Sequence, residues 1–405
     1  MDYLEKGTAA FRKANVAFFV AGFNTFAILY CTQPLLSHFS DEFRVSPTVA
    51  SLSLSGTTLS LAVSMIFFSA VSERWGRKRV MFISMLMASL LSFATAFSTS
   101  FPALVGLRLL LGIALGGLPS IAMAYLGEEV AQSSLSLAMG LYISGNSLGA
   151  VVGRVLTSVC SNAYNWHIGL GIISIIGLCA SLVFGRLLPE SRHFQSTCER
   201  GKSSFHGFIL HLKNPVLLSL FSIGFLILAS NIAMYNYVGY VLESAHYGLP
   251  HSVLSWIYLF YLVGMISSVV MAKLSTRLGK SRALAGGLLI TIVGAGLTLI
   301  PDLWFKLAGL PVLTFGFFGS HSIASGWVSQ RASKNKAQAS SLYLFFYYMG
   351  SSIGGTFAGE MWGWYGWDGV VSLIFAFLVL AGLFTWFLSR RTANESGNNR
   401  ALTMR

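Results

Sequence analysis

The chain has few charged residues: only 10% of its 405 residues are Asp, Glu, Lys or Arg. Soluble domains carry about a quarter, so the polar surface here is too small to cover a soluble globule. By contrast, 54% of the residues are hydrophobic. A bilayer core of about 30 Å needs about 20 apolar residues per helix, and such runs recur along almost the whole chain. We therefore expect an all-α membrane protein.

Cysteine is also scarce, with Cys31, Cys160, Cys179 and Cys198 scattered along the chain. No pair has the spacing of a metal site or a redox motif, so neither a disulfide nor a zinc site is expected. The first residues are polar and basic and lack a small-residue cleavage site. The first apolar run is therefore predicted to stay as a helix and not to be removed as a signal peptide.

Apolar runs between charged or turn-rich breaks predict twelve transmembrane helices. They fall six and six around the longest polar stretch, 188–213, which predicts a cytoplasmic linker between two pseudo-symmetric six-helix bundles, 1–187 and 214–405 with a short tail. The predicted spans are 15–37, 47–71, 80–99, 102–126, 134–159, 166–187, 215–242, 250–273, 281–300, 307–329, 337–362 and 367–389.

Basic residues fall on one side of the predicted membrane. With both termini cytoplasmic, 23 of the 27 Lys and Arg residues lie in cytoplasmic segments, whereas Arg44, Arg154 and Lys306 lie outside and Arg108 within a span. This positive-inside pattern predicts a multi-pass membrane protein with cytoplasmic N- and C-termini. It also explains the net charge of +13 by contact with lipid, so no nucleic-acid partner is expected.

The two halves align at a shift of 203 residues. Pro47 falls on Pro250, Gly76 falls on Gly279, and the glycine pattern from Gly145 recurs near the same shift. A colinear series of matches indicates a duplicated six-helix unit. Transporters built from two such halves bind substrate near the midplane and alternate access by rocking the halves.

A basic loop follows the second predicted helix: Ser69-Ala-Val-Ser-Glu73-Arg74-Trp75-Gly76-Arg77-Lys78-Arg79. The residues predict a tight turn at Gly76 with a basic cluster. The loop resembles the signature of the major facilitator superfamily, Gly-x-x-x-Asp-Arg-x-Gly-Arg-Arg/Lys-Arg/Lys, with Ser69 and Glu73 as departures. The resemblance implies the superfamily fold. It also implies that Glu73 docks on a helix end of the opposite half, making the loop part of a gate.

Within that superfamily, the chain resembles the bacterial drug- and sugar-efflux-type (YnfM-like) permeases of the inner membrane. The residues that carry this resemblance are Leu188-Pro-Glu-Ser-Arg-His-Phe194 after helix six and Gly140-Leu-Tyr-Ile-Ser-Gly-Asn-Ser147 in helix five. The resemblance covers essentially the whole chain.

Arg108 lies in Leu104-Val-Gly-Leu-Arg-Leu-Leu-Leu-Gly112, which looks like the superfamily's helix-four motif. The resemblance implies a role in proton coupling or substrate binding. An arginine inside a membrane is costly and usually faces a cavity or a partner. The alternative is a structural arginine that bonds helix-end carbonyls.

Helix five carries Gly145, Gly149 and Gly153 on one face. Their spacing resembles the superfamily's antiporter motif, Gly-x-x-x-Gly-Pro-x-x-Gly-Gly, although Ala150 replaces the proline and Arg154 the last glycine. The resemblance implies antiport. The alternative is close helix packing through small residues, which a similar glycine series from Gly350 favours.

The resemblance also implies that helices 1, 4, 7 and 10 line a central path. Polar residues on these helices and on helices 5 and 11 are candidates for the substrate or proton path: Asn24, Tyr30, Gln33, Arg108, Asn146, Arg154, Asn231, Tyr235, Asn236, Tyr237, His321, Tyr347 and Tyr348. For any Tyr or Asn, a hydrogen bond between helices is the alternative. His321 could carry a proton, since histidine titrates near neutral pH, or it could be satisfied by Ser320, Ser322 or a backbone carbonyl.

Acidic residues are absent from the middle of every predicted span; Glu243 and Glu360 lie near outer helix ends. Proton coupling would therefore depend on Arg108, His321 or the peripheral carboxylates. The charges of Arg108 and Arg154 fit an anionic or neutral polar substrate slightly better than a cationic drug.

We therefore predict a secondary active transporter, not an enzyme, that exports a small solute or drug, as a proton antiporter, by alternating access. No cofactor, metal site or nucleotide-binding loop is expected, and we expect a monomer in the bilayer. One alternative is an importer or exchanger of small organic anions. Another is a transporter-like membrane sensor without transport.

Overall fold

The structure is a computed structural model that describes residues 3–191, 193, 206–332 and 336–403. Over these residues the chain is nearly all helical and contains no β-strand, apart from an isolated bridge between Leu4 and Val130. Eleven helical stretches within the described ranges are long and apolar enough to cross a membrane.

The last of these stretches accounts for two crossings. It runs over Gln338–Arg391 and contains 54 residues, more than twice the length that one crossing needs. Gly366 interrupts the helical backbone there, with φ 59° and ψ −142°. The eleventh and twelfth predicted spans lie on either side of this break. The predicted all-α membrane fold of twelve helices is therefore confirmed.

The α-helices follow one another along the described part of the chain. They are α1 (Ala9–Tyr30), α2 (Leu36–Phe43), α3 (Pro47–Trp75), α4 (Arg77–Thr95), α5 (Phe101–Leu115), α6 (Gly117–Glu129), α7 (Gln132–Ala163), α8 (Trp166–Leu187), α9 (His206–Leu212), α10 (Pro215–Glu243), α11 (His251–Leu254), α12 (Val263–Leu278), α13 (Lys280–Leu297), α14 (Leu303–Arg331) and α15 (Lys336–Thr403). Two 3₁₀ segments, Gln33–Leu35 and Ser255–Leu262, precede α2 and α12.

Two tight turns show the internal repeat in the backbone. Gly76 ends α3 with φ 86° and ψ 144°, and Gly279 precedes α13 with φ 85° and ψ 150°. Positive φ values of this kind are adopted readily only by glycine. Two glycines 203 residues apart thus make the same turn after equivalent helices, as the alignment of the halves predicts.

Contacts divide the chain into two compact units. Unit 1 comprises Met1–Ser204 and Tyr235–Leu262. Its core forms around Phe18 of α1, whose ring meets those of Tyr125, Tyr142 and Phe184 at centroid distances of 5.3, 6.1 and 6.1 Å. Four helices thus meet at one buried aromatic cluster, and this packing fixes α1 against α7.

Unit 2 comprises Phe205–Met234 and Val263–Arg405. Its helices α13 and α14 approach closely, because a side chain on Gly294 or Gly316 would overlap the backbone of the other helix. The end of α10 belongs to unit 1 and its beginning to unit 2, so this division does not follow the repeat. The predicted boundary at 188–213 stays a prediction; 192 and 194–205 lie outside the described residues.

Candidate functional site

Arg154 is the centre of a polar network in unit 1. It lies on α7 and is only 1% exposed. Its Nε donates to Oε1 of Gln33 at 2.7 Å, and its Nη1 donates to the carbonyl of Ala150 at 2.6 Å. The guanidinium carbon lies 3.9 Å from the ring centre of Tyr30 and 4.4 Å from that of Tyr261. Attraction to ring faces offsets part of the cost of burying this charge.

Gln33 carries the network from α7 to the second repeat. Its Nε2 donates to Oδ1 of Asn236 at 2.7 Å, and both side chains are buried. The two residues are 203 positions apart, which is the repeat shift itself. Equivalent positions of the two halves therefore contact each other inside unit 1.

Further hydrogen bonds join the same elements. The hydroxyl oxygens of Ser158 on α7 and Ser255 lie 2.7 Å apart, and those of Ser40 and Tyr240 lie 2.8 Å apart. We call the whole set the Arg154 network: Tyr30, Gln33, Ser40, Arg154, Ser158, Asn236, Tyr240, Ser255, Tyr258 and Tyr261. A cavity of about 20 Å³ beside it has room for about one water molecule.

Arg108 on α5 holds three helices together. Its Nε donates to the carbonyl of Ser53 at 3.0 Å, and Nη1 and Nη2 donate to those of Ile28 and Leu29 at 3.0 and 2.7 Å. Since α1 ends at Tyr30, its last carbonyls lack partners within the helix. Arg108 therefore caps α1 from a neighbouring helix. These contacts are the ones expected if Arg108 is a structural arginine that bonds helix-end carbonyls.

The signature loop is held by ion pairs within unit 1. Arg77 makes a two-pronged contact to Glu128, with Nη2 2.8 Å and Nε 3.2 Å from the carboxylate oxygens, and Lys78 lies 2.9 Å from Glu190. Arg74 and Arg79 are exposed. The predicted docking of Glu73 cannot be followed, because that side chain lies outside the described residues.

The three glycines of helix five pack directly on α1. A side chain on Gly145, Gly149 or Gly153 would come closer than 3.0 Å to the backbone of Phe19, Phe23 or Ala27 respectively. Each glycine thus meets α1 one turn further along. Gly350 and Gly354 meet α10 at Phe225 and Ala229 in the same way inside unit 2. The geometry is that of close packing in both repeats.

His321 lies in unit 2, within α14, and is partly exposed. Its Nδ1 is 3.0 Å from the hydroxyl of Tyr343, and its ring is 4.5 Å from that of Tyr347. Phe317 stacks one turn away, at 6.4 Å. A titratable ring within a membrane helix thus lies in an aromatic cluster, with the hydroxyl of Tyr343 as a partner. The alternative drawn from the sequence names Ser320, Ser322 or a backbone carbonyl.

Comparison with known proteins decides the family. The model of the Major Facilitator Superfamily matches residues 17–337 and, in a second match, 229–403. The chain belongs to the major facilitator superfamily. The uncharacterized MFS-type transporter YybF of Bacillus subtilis is 51% identical over 405 residues, covering 98% of this chain and 100% of that protein. The inner membrane transport protein YnfM of Escherichia coli is 40% identical over 390 residues, covering 96% and 94%.

Solved structures agree with this assignment. A bacterial homologue of the human lysosomal transporter Spinster, in an inward-facing and unoccupied conformation, has a TM-score of 0.80 and covers 95% of this chain and 98% of its own. The nucleoside transporter NupG has a TM-score of 0.73. Both are 14% identical to this chain, so the likeness shows the fold alone. The chain is a multi-pass membrane transporter of the superfamily.

Two further candidates border the Arg154 network: the ring of Tyr235 lies 4.5 Å from that of Tyr261, and the ring of Tyr237 lies 6.1 Å from that of Tyr240. Asn24 donates to Ser89 and Ser181 within unit 1, at 3.3 and 3.4 Å, which is the helix-to-helix alternative. The remaining candidates lie elsewhere: Asn146 faces α1 near Gly22, and Asn231 and Tyr348 are buried in unit 2.

Sequence reasoning missed several partners of the network. Tyr258, Tyr261 and Ser255 lie in a continuous apolar run and carry no local signal. The pair Gln33 and Asn236 did have a signal, since the repeat shift superimposes them. Outside the network, the sequence also predicted no role for His193, whose Nδ1 lies 3.1 Å from the carboxylate of Glu129.

Proposed function

We propose that this superfamily member is a secondary active transporter that exports a small solute by alternating access, as a proton antiporter of a bacterial inner membrane. We place both termini in the cytoplasm, which puts the Arg154 network on the outer side. The observation that carries the proposal is this network. It joins elements of both repeats through hydrogen bonds and ring contacts worth about 0.5–3 kcal/mol each, the larger values applying to hydrogen bonds from the charged guanidinium. Contacts of this size can break and re-form in a transport cycle.

A reversible cross-link tests this proposal. The double variant Ser158→Cys with Ser255→Cys places two thiols where hydroxyl oxygens are 2.7 Å apart. Once the bridge is oxidised, α7 cannot separate from the segment around residue 255. We expect transport by inside-out vesicles, screened with cationic dyes, sugars and organic anions, to stop on oxidation and to recover with reductant.

The matched control is Ser147→Cys with Ser255→Cys. Ser147 lies eleven residues earlier on α7, about 16 Å along the helix, so no bridge forms and oxidation leaves transport unchanged. Full transport with the 158–255 bridge closed would remove the Arg154 network from the transport cycle.

The proton-antiport part of the proposal is supported by His321. It is the histidine within α14, and no Asp or Glu occupies the middle of a predicted span. We expect His321→Gln to lose accumulation driven by a pH gradient while keeping exchange of substrate for substrate. Tyr343→Phe removes only the hydroxyl partner and should shift the pH profile. An unchanged response to the gradient in His321→Gln would exclude this residue as the proton carrier.

A second candidate is an importer or exchanger of small organic anions. It is favoured by the surroundings of Arg154: among the residues described, no carboxylate lies within ion-pair distance of its guanidinium. A buried cation without a carboxylate partner suits an anionic ligand. Counterflow in proteoliposomes, with anionic metabolites compared with cationic dyes, distinguishes the two candidates.

A further inference from the structure

Three titratable side chains meet beside the Arg154 network. Glu243 ends α10, His251 begins α11, and His38 lies on α2. Nδ1 of His251 is 2.8 Å from Oε1 of Glu243, and the hydroxyl of Ser37 donates to the same oxygen at 3.1 Å. The rings of His38 and His251 are 4.2 Å apart. One carboxylate thus holds partners from α2 and from α11 together.

This cluster has an open side and a closed side. The side chains of His251 and Glu243 are 40% and 20% exposed, so protons reach them from solvent. On the other side, Glu243, His251 and Ser37 line the cavity together with Gln33 and Asn236. The cluster is therefore continuous with the Arg154 network.

Two polar atoms at this junction make no hydrogen bond within the part of the chain that the structure describes. Asn236 is 3% exposed, and its Nδ2 makes no hydrogen bond to any described residue. The same holds for the buried Nδ1 of His38. Both atoms can therefore take up a new hydrogen bond, and the cavity that Asn236 lines has room for about one water molecule. A change of protonation there can alter which contacts form.

Other charged and titratable groups face the cluster from each element around it. Asp41 and Glu42 act on it from α2, Tyr240 from α10, and Tyr258 from the 3₁₀ segment after α11; His246 is exposed on the intervening turn. No Lys or Arg lies within ion-pair distance of Glu243 among the described residues. Among the same residues, the ring of His251 is the basic group that contacts the Glu243 carboxylate.

We propose that Glu243, His251 and His38 form a proton-binding site at the outer side of the transporter, and that its occupancy controls the Arg154 network. A proton on Glu243 removes the negative charge to which both Ser37 and His251 are bonded. A proton on His38 adds a second positive charge 4.2 Å from His251, where like charges repel. Both changes weaken the contact between α2 and the α10–α11 turn.

This inference deepens the proposed function, on which its outer location rests, and it has a consequence that needs no transport measurement. Coupling between two sites is reciprocal. If proton binding opens the Arg154 network, then locking that network closed must weaken proton binding. The Ser158→Cys/Ser255→Cys bridge supplies the lock.

The test is an infrared titration of the purified protein in lipid, following the carboxylic-acid band as the pH is lowered. We expect Glu243→Gln to lose one titrating carboxyl that Glu360→Gln, a substitution at an exposed carboxylate, retains. In the bridged variant the Glu243 band should appear about one pH unit lower when oxidised than when reduced, a tenfold change within the usual range of coupling.

Two results would overturn the proposal: a titrating band that is unchanged in Glu243→Gln, or a Glu243 band at the same pH in the oxidised and reduced protein. If Glu243→Gln does not fold, His251→Gln keeps the carboxylate and should raise the pH at which its band appears. A bridge that stops transport without moving the band would leave the proposed function standing and reject this site alone.

Discussion

Arg108 is the residue whose removal should disturb the fold most. Its guanidinium meets carbonyls from α1 and α3, and each carbonyl left unpaired in the interior costs about 1–3 kcal/mol. We expect Arg108→Ala to insert into the membrane but to lose transport and to unfold at a lower temperature in detergent. The compact ammonium of Arg108→Lys cannot span three acceptors. We expect the unfolding temperature of this variant to lie between those of the wild type and Arg108→Ala.

Leu109→Ala is the matched control, since Leu109 is the exposed neighbour on α5 and should leave both properties near the wild type. If Arg108→Ala lost transport with no change in thermal stability, the arginine would act on the substrate or the proton and not as a helix cap.

At the residue scale, the sequence predicted which residues belong to the Arg154 network better than it predicted which of them contact each other. Tyr30, Gln33, Arg154 and Asn236 were all candidates, and the structure brings them together. Asn24 was also a candidate but bonds elsewhere. A polar residue on an apolar helix indicates that it has a hydrogen-bond partner. Which residue is the partner depends on how the helices pack, and the sequence near the residue does not determine that packing.

At the scale of elements, the contact between α1 and α7 is set by three glycines. A methyl group at Gly149 would overlap the backbone of Phe23, and neither backbone can move without disturbing the adjoining turns. We expect Gly149→Ala to lower the melting temperature in detergent clearly. Gly140→Ala, on the same helix with no atom within 4 Å of the added carbon, should be neutral or stabilising by about 0.5–1 kcal/mol. Equal effects at both positions would contradict the packing role.

Helix ends were predicted less well than helices, and the reasons are local. The predicted span 15–37 is broken after Tyr30, where Pro34 lies in a 3₁₀ turn at Gln33–Leu35 before α2 begins. The predicted span 102–126 contains Gly116, at which α5 gives way to α6. Hydropathy does not register such breaks because the residues around them stay apolar. The break after Tyr30 nevertheless contains Gln33, which lies within hydrogen-bond distance of Arg154.

At the scale of the whole molecule, the distribution of charge predicts the orientation. Moving Lys or Arg across a bilayer core is costly, so basic loops remain cytoplasmic. We expect a green fluorescent protein fused after residue 213 to fluoresce and alkaline phosphatase fused there to be inactive. Both signals should reverse for fusions after Gly248, in the turn between α10 and α11. Active phosphatase after residue 213 would show that the orientation is the reverse of the predicted one. Glu243 and His251 would then lie on the cytoplasmic side and take up protons from the cytoplasm.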